Sequence, residues 1–162
     1  EEIQALLEDA HDGIRGLIAI GAFAGIRTEN IQRMRWKSVH WKTRHIVLDA
    51  EASKTVRCIV PLKPNLQQWL KPLKEKENDL ICRYVNLTQQ FYRVAKKSEI
   101  KWKKNALRHS YISYRLAEVK NIYQVAEECG NSPDEIKRSY REIQLDDGRI
   151  ITADLAKEWF RV

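Results

Sequence analysis

The stretch Asn105-Ala106-Leu107-Arg108-His109 begins a helix from which the rest of the chain can be read. From it, Leu107, Tyr111, Ile112, Leu116 and Val119 recur at helical spacing and mark a face turned toward a core. Asn105 and Arg108 stand three apart, so one face of the helix presents both toward the same point. Beyond it, Asn121 can cap a following helix that Gly130 ends. Ser132-Pro133-Asp134-Glu135 then supplies an N-cap serine, a proline at the first helical position and a capping-box glutamate. This capped helix carries Tyr140, and after a loop at Asp146-Asp147-Gly148 a last helix is expected over 153–160.

Toward the N-terminus the pattern stays helical up to one interruption. Ile3, Leu6 and Leu7 fall at helical spacing within 1–8, with acids in the first turn. A second helix is predicted from Asp12 to Ala24, carrying Ile14, Leu17, Ile18 and Phe23 and ended by Gly25. Gly16 and Gly21 inside it predict close packing on a neighbouring helix, since glycine otherwise weakens a helix. Arg27 follows just beyond the end, before a short helix from Thr28 to Met34. The period then changes. His45-Ile46-Val47-Leu48-Asp49 and Val56-Arg57-Cys58-Ile59-Val60 are short and β-branched, and read as a hairpin with Ser53-Lys54-Thr55 at a protruding tip. Pro61 and Pro64 close that unit. Leu66 to Leu70 reads as a short helix, Asp79 to Tyr84 as a brief extended segment, and Thr88 to Lys97 as a helix with Phe91, Val94 and Ala95 inward. The expectation is a mainly α fold with a small antiparallel β-sheet (α+β), in one domain over 1–162.

Composition narrows the function classes. The 162 residues carry 29 lysines and arginines against 22 acids, a net charge of +7 that favours polyanions as partners. Three cysteines, Cys58, Cys82 and Cys129, show neither a disulfide framework nor CxxC spacing, which points to a reducing cytosol. The four histidines, His11, His40, His45 and His109, are scattered without ligands at metal spacing, so no metal site is expected. No apolar run approaches the roughly 18 residues of a membrane span, and no internal repeat is present.

Two arginines, a lysine and a phenol, in the order Arg27, Lys54, Arg108 and Tyr140, form a set able to attack a phosphodiester without metal. Such a reaction needs charge stabilisation on the non-bridging oxygens, a nucleophile, and a proton donor for the leaving group. Arginine suits the first role because its planar fork grips two oxygens and stays charged. Lys137, Arg138 and Arg141 beside Tyr140 favour its phenolate. Arg33-Met34-Arg35-Trp36-Lys37 and Lys101-Trp102-Lys103-Lys104 flank the two arginine segments. Arg33, Arg35, Lys37, Lys101, Lys103, Lys104, Lys137 and Arg138 are therefore the expected contacts to neighbouring DNA phosphates. The tryptophans are expected to pack rather than to stack on bases. His109 points elsewhere on its helix than Arg108 and is expected to be structural, core-facing or hydrogen-bonded.

Order and spacing resemble the catalytic domain of the tyrosine recombinases, the phage integrase family, over nearly the whole chain. Ala24-Gly25-Ile26-Arg27 resembles the motif of the family's first arginine. Asn105 and Arg108 match its HxxR motif, with asparagine in place of histidine. Gly130-Asn131, nine residues before Tyr140, stands where the family has glycine followed by histidine or tryptophan, and Lys54 where it has a mobile catalytic lysine. The resemblance implies a DNA breaking-rejoining fold in which Tyr140 attacks DNA to give a 3′-phosphotyrosyl link and a free 5′-hydroxyl. Arg27 and Arg108 would clamp the phosphate, Lys54 would be the general acid, and Asn105 and Asn131 hydrogen-bond donors. No cofactor or metal is implied.

The implied partners are double-stranded DNA and further copies of the chain, as a tetramer on paired sites joined through the C-terminal helix 153–160. An upstream DNA-binding domain is also implied. The chain opens directly on Glu1-Glu2-Ile3 in a helical pattern, as an excised fragment would. The location that goes with this is cytoplasmic, on the nucleoid of a prokaryotic host. Two other readings stay open. A decayed integrase would bind DNA without chemistry, as the two asparagines suggest, and a type IB topoisomerase would share the chemistry.

Overall fold

The computed structural model describes residues 1–48, 57–139, 148 and 150–162. Lys54, Tyr140, Arg141 and the hairpin tip around Ser53 lie outside the described residues. In chain order come α1 (Glu2–Asp9), α2 (Asp12–Ala24), α3 (Thr28–Ile31), β1 (Val39–His40), β2 (His45–Leu48) and β3 (Cys58–Pro61). They are followed by α4 (Pro64–Leu70), α5 (Leu87–Lys97), α6 (Ala106–Val119), α7 (Ile122–Cys129), α8 (Pro133–Ser139) and α9 (Ala153–Trp159). The architecture is mainly α with one small antiparallel sheet, as the periodicity predicts.

The core is organised around α2. Every residue from Gly16 to Ala24 is buried, as expected of a helix that is apolar on all sides. It packs against α1, α4 and α6. Gly21 allows the closest of these approaches: a Cβ there would lie 3.0 Å from Leu107 Cδ1 on α6. Gly16 meets only ordinary contacts, with Ile81, Leu73 and Leu70 at 3.4–3.8 Å from the position of a Cβ.

The sheet has the order β1-β2-β3, with Val39 opposite Ile46, Ile46 opposite Val60 and Leu48 opposite Cys58. Ile46, Leu48, Cys58 and Val60 face inward, and β3 rests on α7. The two-residue β1 has no period of its own in the sequence; it exists by pairing with β2. The extended segment expected over 79–84 reduces to an isolated bridge between Arg35 and Leu80, with Trp36 N donating to Asp79 O at 3.1 Å. The helix expected from Thr28 to Met34 stops at Ile31 and continues as turns, with Met34 N donating to both Asn30 O and Ile31 O at 3.1 Å.

The C-terminal helix α9 docks on α6 and α2 of its own chain. Trp159 stacks on Tyr114 at 4.4 Å between ring centroids, and its indole donates to Ala22 O at 3.2 Å. Phe160 meets Tyr111 edge-on and lies under the ammonium of Lys63, 4.1 Å from the ring centroid. No helix among the described residues is long and apolar enough to cross a membrane.

Gly25 ends α2 in the left-handed region, φ 63°. A Cβ there would sit 2.3 Å from Tyr111 Cδ1, inside the ring's van der Waals surface. Gly25→Ala should therefore combine left-handed strain with overpacking, about 2–4 kcal/mol in denaturant titrations. Gly148→Ala, at φ 81° with no neighbour within 4 Å, should show only the strain, about 1–2 kcal/mol. Equal losses for the two would remove the Tyr111 contact from the explanation.

Candidate phosphodiester site

Two helix ends meet at the site. Gly25 closes α2, and Gly130 closes α7 with φ 62° and ψ 42°, also left-handed. Each glycine turns the chain sharply and leaves carbonyls exposed at a negative helix end. Arg27, two residues past Gly25, is the N-cap of α3. Its side chain reaches across to α7, donating from Nη2 to Asn131 Oδ1 at 2.7 Å and from Nη1 to Gly130 O at 3.5 Å. Arg108, in the first turn of α6, reaches both ends: Nη1 donates to Gly25 O at 2.5 Å, and Nη2 to Cys129 O at 2.8 Å and Asn131 Oδ1 at 2.9 Å. Both guanidiniums therefore converge on one side-chain oxygen. With that oxygen accepting twice, the amide nitrogen is the end of Asn131 turned away from the arginines.

Asn105 stands at the edge of this cluster. It is the N-cap of α6 rather than its first helical residue, with φ 59° and ψ 12°. Its side chain makes no capping bond and is exposed. With Arg27 and Arg108 it lines a groove of about 360 Å³ whose far wall is Leu87, Thr88, Phe91 and Tyr92 of α5. A second, far smaller recess behind the arginines is lined by Leu48 and Cys58 together with Asn30, Arg27, Arg108 and Gly130. Leu48 ends β2 and Cys58 starts β3, so both attachment points of segment 49–56 lie beside the arginines. Lys54 itself is outside the described residues, as is Tyr140, which follows directly after α8. The start of α8 is capped as the sequence predicts, Glu135 N donating to Ser132 Oγ at 3.1 Å.

The flanking cations divide. Lys104 lines the groove with the arginines. Arg33 bonds Asn30 Oδ1 at 2.8 Å and so lies close to the recess. Arg35, in contrast, donates to Asn78 O, and Lys37 N bonds Glu77 O at 2.8 Å, which ties this pair to the 77–80 segment. Lys101, Lys103, Lys137 and Arg138 are exposed. Trp36 is buried, and Trp102 stacks on Phe91 with centroids 4.5 Å apart. His109 is exposed rather than core-facing, because it lies a residue past the face that Leu107 and Tyr111 turn inward.

Both nearby thiols, Cys58 and Cys129, are buried. Burial pushes Cys129 up to about 12 against the pull of Arg108, and it raises Cys58 against Arg108 and Arg27. Among the described residues no three His, Cys, Asp or Glu side chains gather in a way that could hold a metal ion.

A buried network that sequence reading missed supports the site from behind. Arg115 donates to both oxygens of Glu128, from Nε to Oε2 at 2.9 Å and from Nη2 to Oε1 at 2.8 Å. Tyr111 Oη also donates to Oε2, at 2.8 Å, and Gln124 Nε2 to Oε1, at 3.0 Å. Arg115 and Glu118 share a further bond at 2.7 Å, and Lys63 adds another to Glu118 at 2.6 Å. The available signal was spacing. Tyr111 and Arg115 lie three and seven residues past Arg108 on α6, and Glu128 three before Asn131.

The described residues have the fold of tyrosine-recombinase catalytic domains. The XerA recombinase matches with a TM-score of 0.70 at 17% identity, over 84% of this chain and 56% of that one. The catalytic domain of bacteriophage HP1 integrase matches at 0.65 and 19% identity, over 86% and 83%. The XerH site-specific recombinase, bound to its difH substrate in a pre-cleavage complex, matches at 0.61 and 17%, over 84% and 48%. The chain thus spans about half the length of the two Xer recombinases, and the likeness is one of fold. No protein-family model matches the chain, and no curated protein matches it in sequence.

Burial opposes ionisation of Glu128, yet hydrogen bonds from Arg115 and Gln124 and the Arg115 charge hold its carboxyl below the usual value of 4.5. A depressed folded pKa contributes stability in full above the unfolded value and loses it as pH falls through the folded value. Arg115→Met or Glu128→Leu alone strands a buried charge and should cost about 3–5 kcal/mol at pH 7. The double variant should cost less than the sum, and its urea midpoint should fall less between pH 5 and pH 3 than that of the unaltered chain. Additive losses would show that the pair is not coupled.

Proposed function

We propose that this chain cuts and rejoins DNA as a site-specific tyrosine recombinase or integrase, through a 3′-phosphotyrosyl intermediate on Tyr140. The observation that carries the reading is the convergence of Arg27 and Arg108 on Asn131 Oδ1. Two rigidly held guanidiniums side by side match the charge of a phosphodiester and the further charge that develops on attack. Asn131 supports this reading by orienting both guanidiniums through Oδ1, and the exposed Asn105 side chain can donate from the edge of the cluster. That the XerH structures hold their protein on difH before and after cleavage supports DNA as the partner.

Chain connectivity supports the remaining roles. Lys54 is four residues from Cys58, a separation of at most about 14 Å that its long side chain shortens further. Tyr140 is nine residues past Asn131, most of them helical at about 1.5 Å each. In the reaction the Tyr140 oxygen bonds to phosphorus, the bond from phosphorus to the 5′-oxygen breaks, and Lys54 gives that oxygen its proton. The phenolic proton leaves to water, since an asparagine at 105 cannot take it. Assembly as a tetramer through α9, an upstream DNA-binding domain and a cytoplasmic location on the nucleoid of a prokaryotic host belong to the same proposal. One observation favours the decayed, non-cleaving binder: Asn131 serves as a fixed acceptor for both arginines, a role that binding alone also needs.

Nicked suicide DNA should trap a covalent adduct without added metal, and Tyr140→Phe should abolish it while leaving DNA binding nearly intact. Asn105→His should raise the adduct rate by up to about 10²-fold, because histidine, like asparagine, accepts the left-handed backbone found there. If neither protein forms adduct while Arg27→Ala and Arg108→Ala still weaken binding, the non-cleaving binder replaces the recombinase.

Binding itself should weaken steeply with salt and vary little with sequence, as phosphate contacts require. An affinity unchanged across a salt titration would remove phosphate recognition as its main source.

A further inference from the structure

The groove beside the arginines has two chemically different kinds of lining. Arg27, Lys104 and Arg108 give it three cations against the one acid Glu29, while Leu87, Phe91, Tyr92, Trp102 and Leu107 give it apolar and largely aromatic surface. We infer that this groove is a binding site for a nucleobase unstacked from the strand whose phosphate the arginines hold, an inference that rests on the phosphodiester reading of the site.

Charge complementarity selects this occupant. An apolar side chain of a protein partner would satisfy the aromatic lining but leave a net positive groove, three cations against Glu29, facing it. A nucleotide carries a negative phosphate for the cations and a flat, uncharged ring for the aromatic lining. Its volume of about 360 Å³ admits a base with its sugar and falls within the usual range of small-ligand sites. The wall is also preorganised. Trp102 and Phe91 are nearly parallel, 12° apart, and that stack fixes the indole before any ligand arrives. Tyr92 leaves 58% of its surface in water on a helix whose neighbouring Phe91 is buried, so it is the ring free to cover a base. Thr88 and Asn105, also in the lining, offer hydrogen-bonding groups to a base edge. Stacking on aromatic rings is tolerant of sequence because every base has a π-face, so the site would favour unpaired or easily unpaired nucleotides rather than one sequence.

The test compares a five-nucleotide thymidine strand with an abasic strand of the same five phosphates, at matched salt. The thymidine strand should bind about tenfold or more tightly. Tyr92→Ala, which removes an exposed ring, and Thr88→Trp, which fills the groove, should each erase that preference, read as the ratio of the two strands' affinities because both carry the same phosphates. Equal binding of the two strands, with duplex binding still lost in Arg27→Ala, would overturn the base site and leave the phosphodiester reading standing. A preference that survives both groove variants would put the base elsewhere and equally overturn it. Failure of strands and duplex alike to bind would remove both readings.

Discussion

The structure depends on two left-handed glycines, Gly25 and Gly130, that end α2 and α7 at one place. An α-helix leaves its last carbonyls without partners, and here those of Gly25, Cys129 and Gly130 accept from two guanidiniums that would otherwise repel each other. The arginines thereby tie helices from the two ends of the chain, and the tie creates the cationic recess. Fold and site are one feature: helix ends need cations, and a phosphodiester needs the same cations held still. Tyr111 closes the arrangement, since its ring occupies the space a side chain at Gly25 would take.

The buried pair behind the site solves a different problem. Arg115 and Glu128 gain at most a modest net stabilisation after desolvation, but their bidentate geometry fixes the angle between α6 and α7. Arg108 projects from α6 and Asn131 follows α7, so any rotation between the two helices would part them. The pair acts as a strut for the site rather than as a source of much stability.

Much of this was legible in sequence because strong local signals coincide with tertiary ones. Gly25 reads as a helix stop whether or not Arg27 matters, and Ser132-Pro133 announces α8 without any neighbour. The apolar stripe on α6 identified the face that meets α2. What the sequence could not show depends on contacts distant in the chain. β1 exists only through its pairing with β2, and the Arg115–Glu128 pair looks like two ordinary surface charges until α6 and α7 are side by side. Asn105 was legible as a helix start, but its left-handed backbone was not, since that follows from how the 101–104 segment enters α6. The groove eluded a reading by motif because its walls come from α2, α3, α5 and α6 at once.

Arg115 and Arg27 show what separates a strut from a site. Arg115 is met by the carboxylates of Glu128 and Glu118, so its charge is spent inside the protein. Arg108 counts the neutral oxygens of Gly25, Cys129 and Asn131 among its acceptors. Arg27 is held in the same manner, by Gly130 O and Asn131 Oδ1, with no carboxylate partner among the described residues. Neutral acceptors orient a guanidinium without cancelling it. An asparagine at 131 serves that end better than an acid would: aspartate would fix both guanidiniums more tightly, but would offset one positive charge and repel an incoming phosphate. An asparagine at this position therefore keeps both guanidiniums oriented without adding a negative charge of its own.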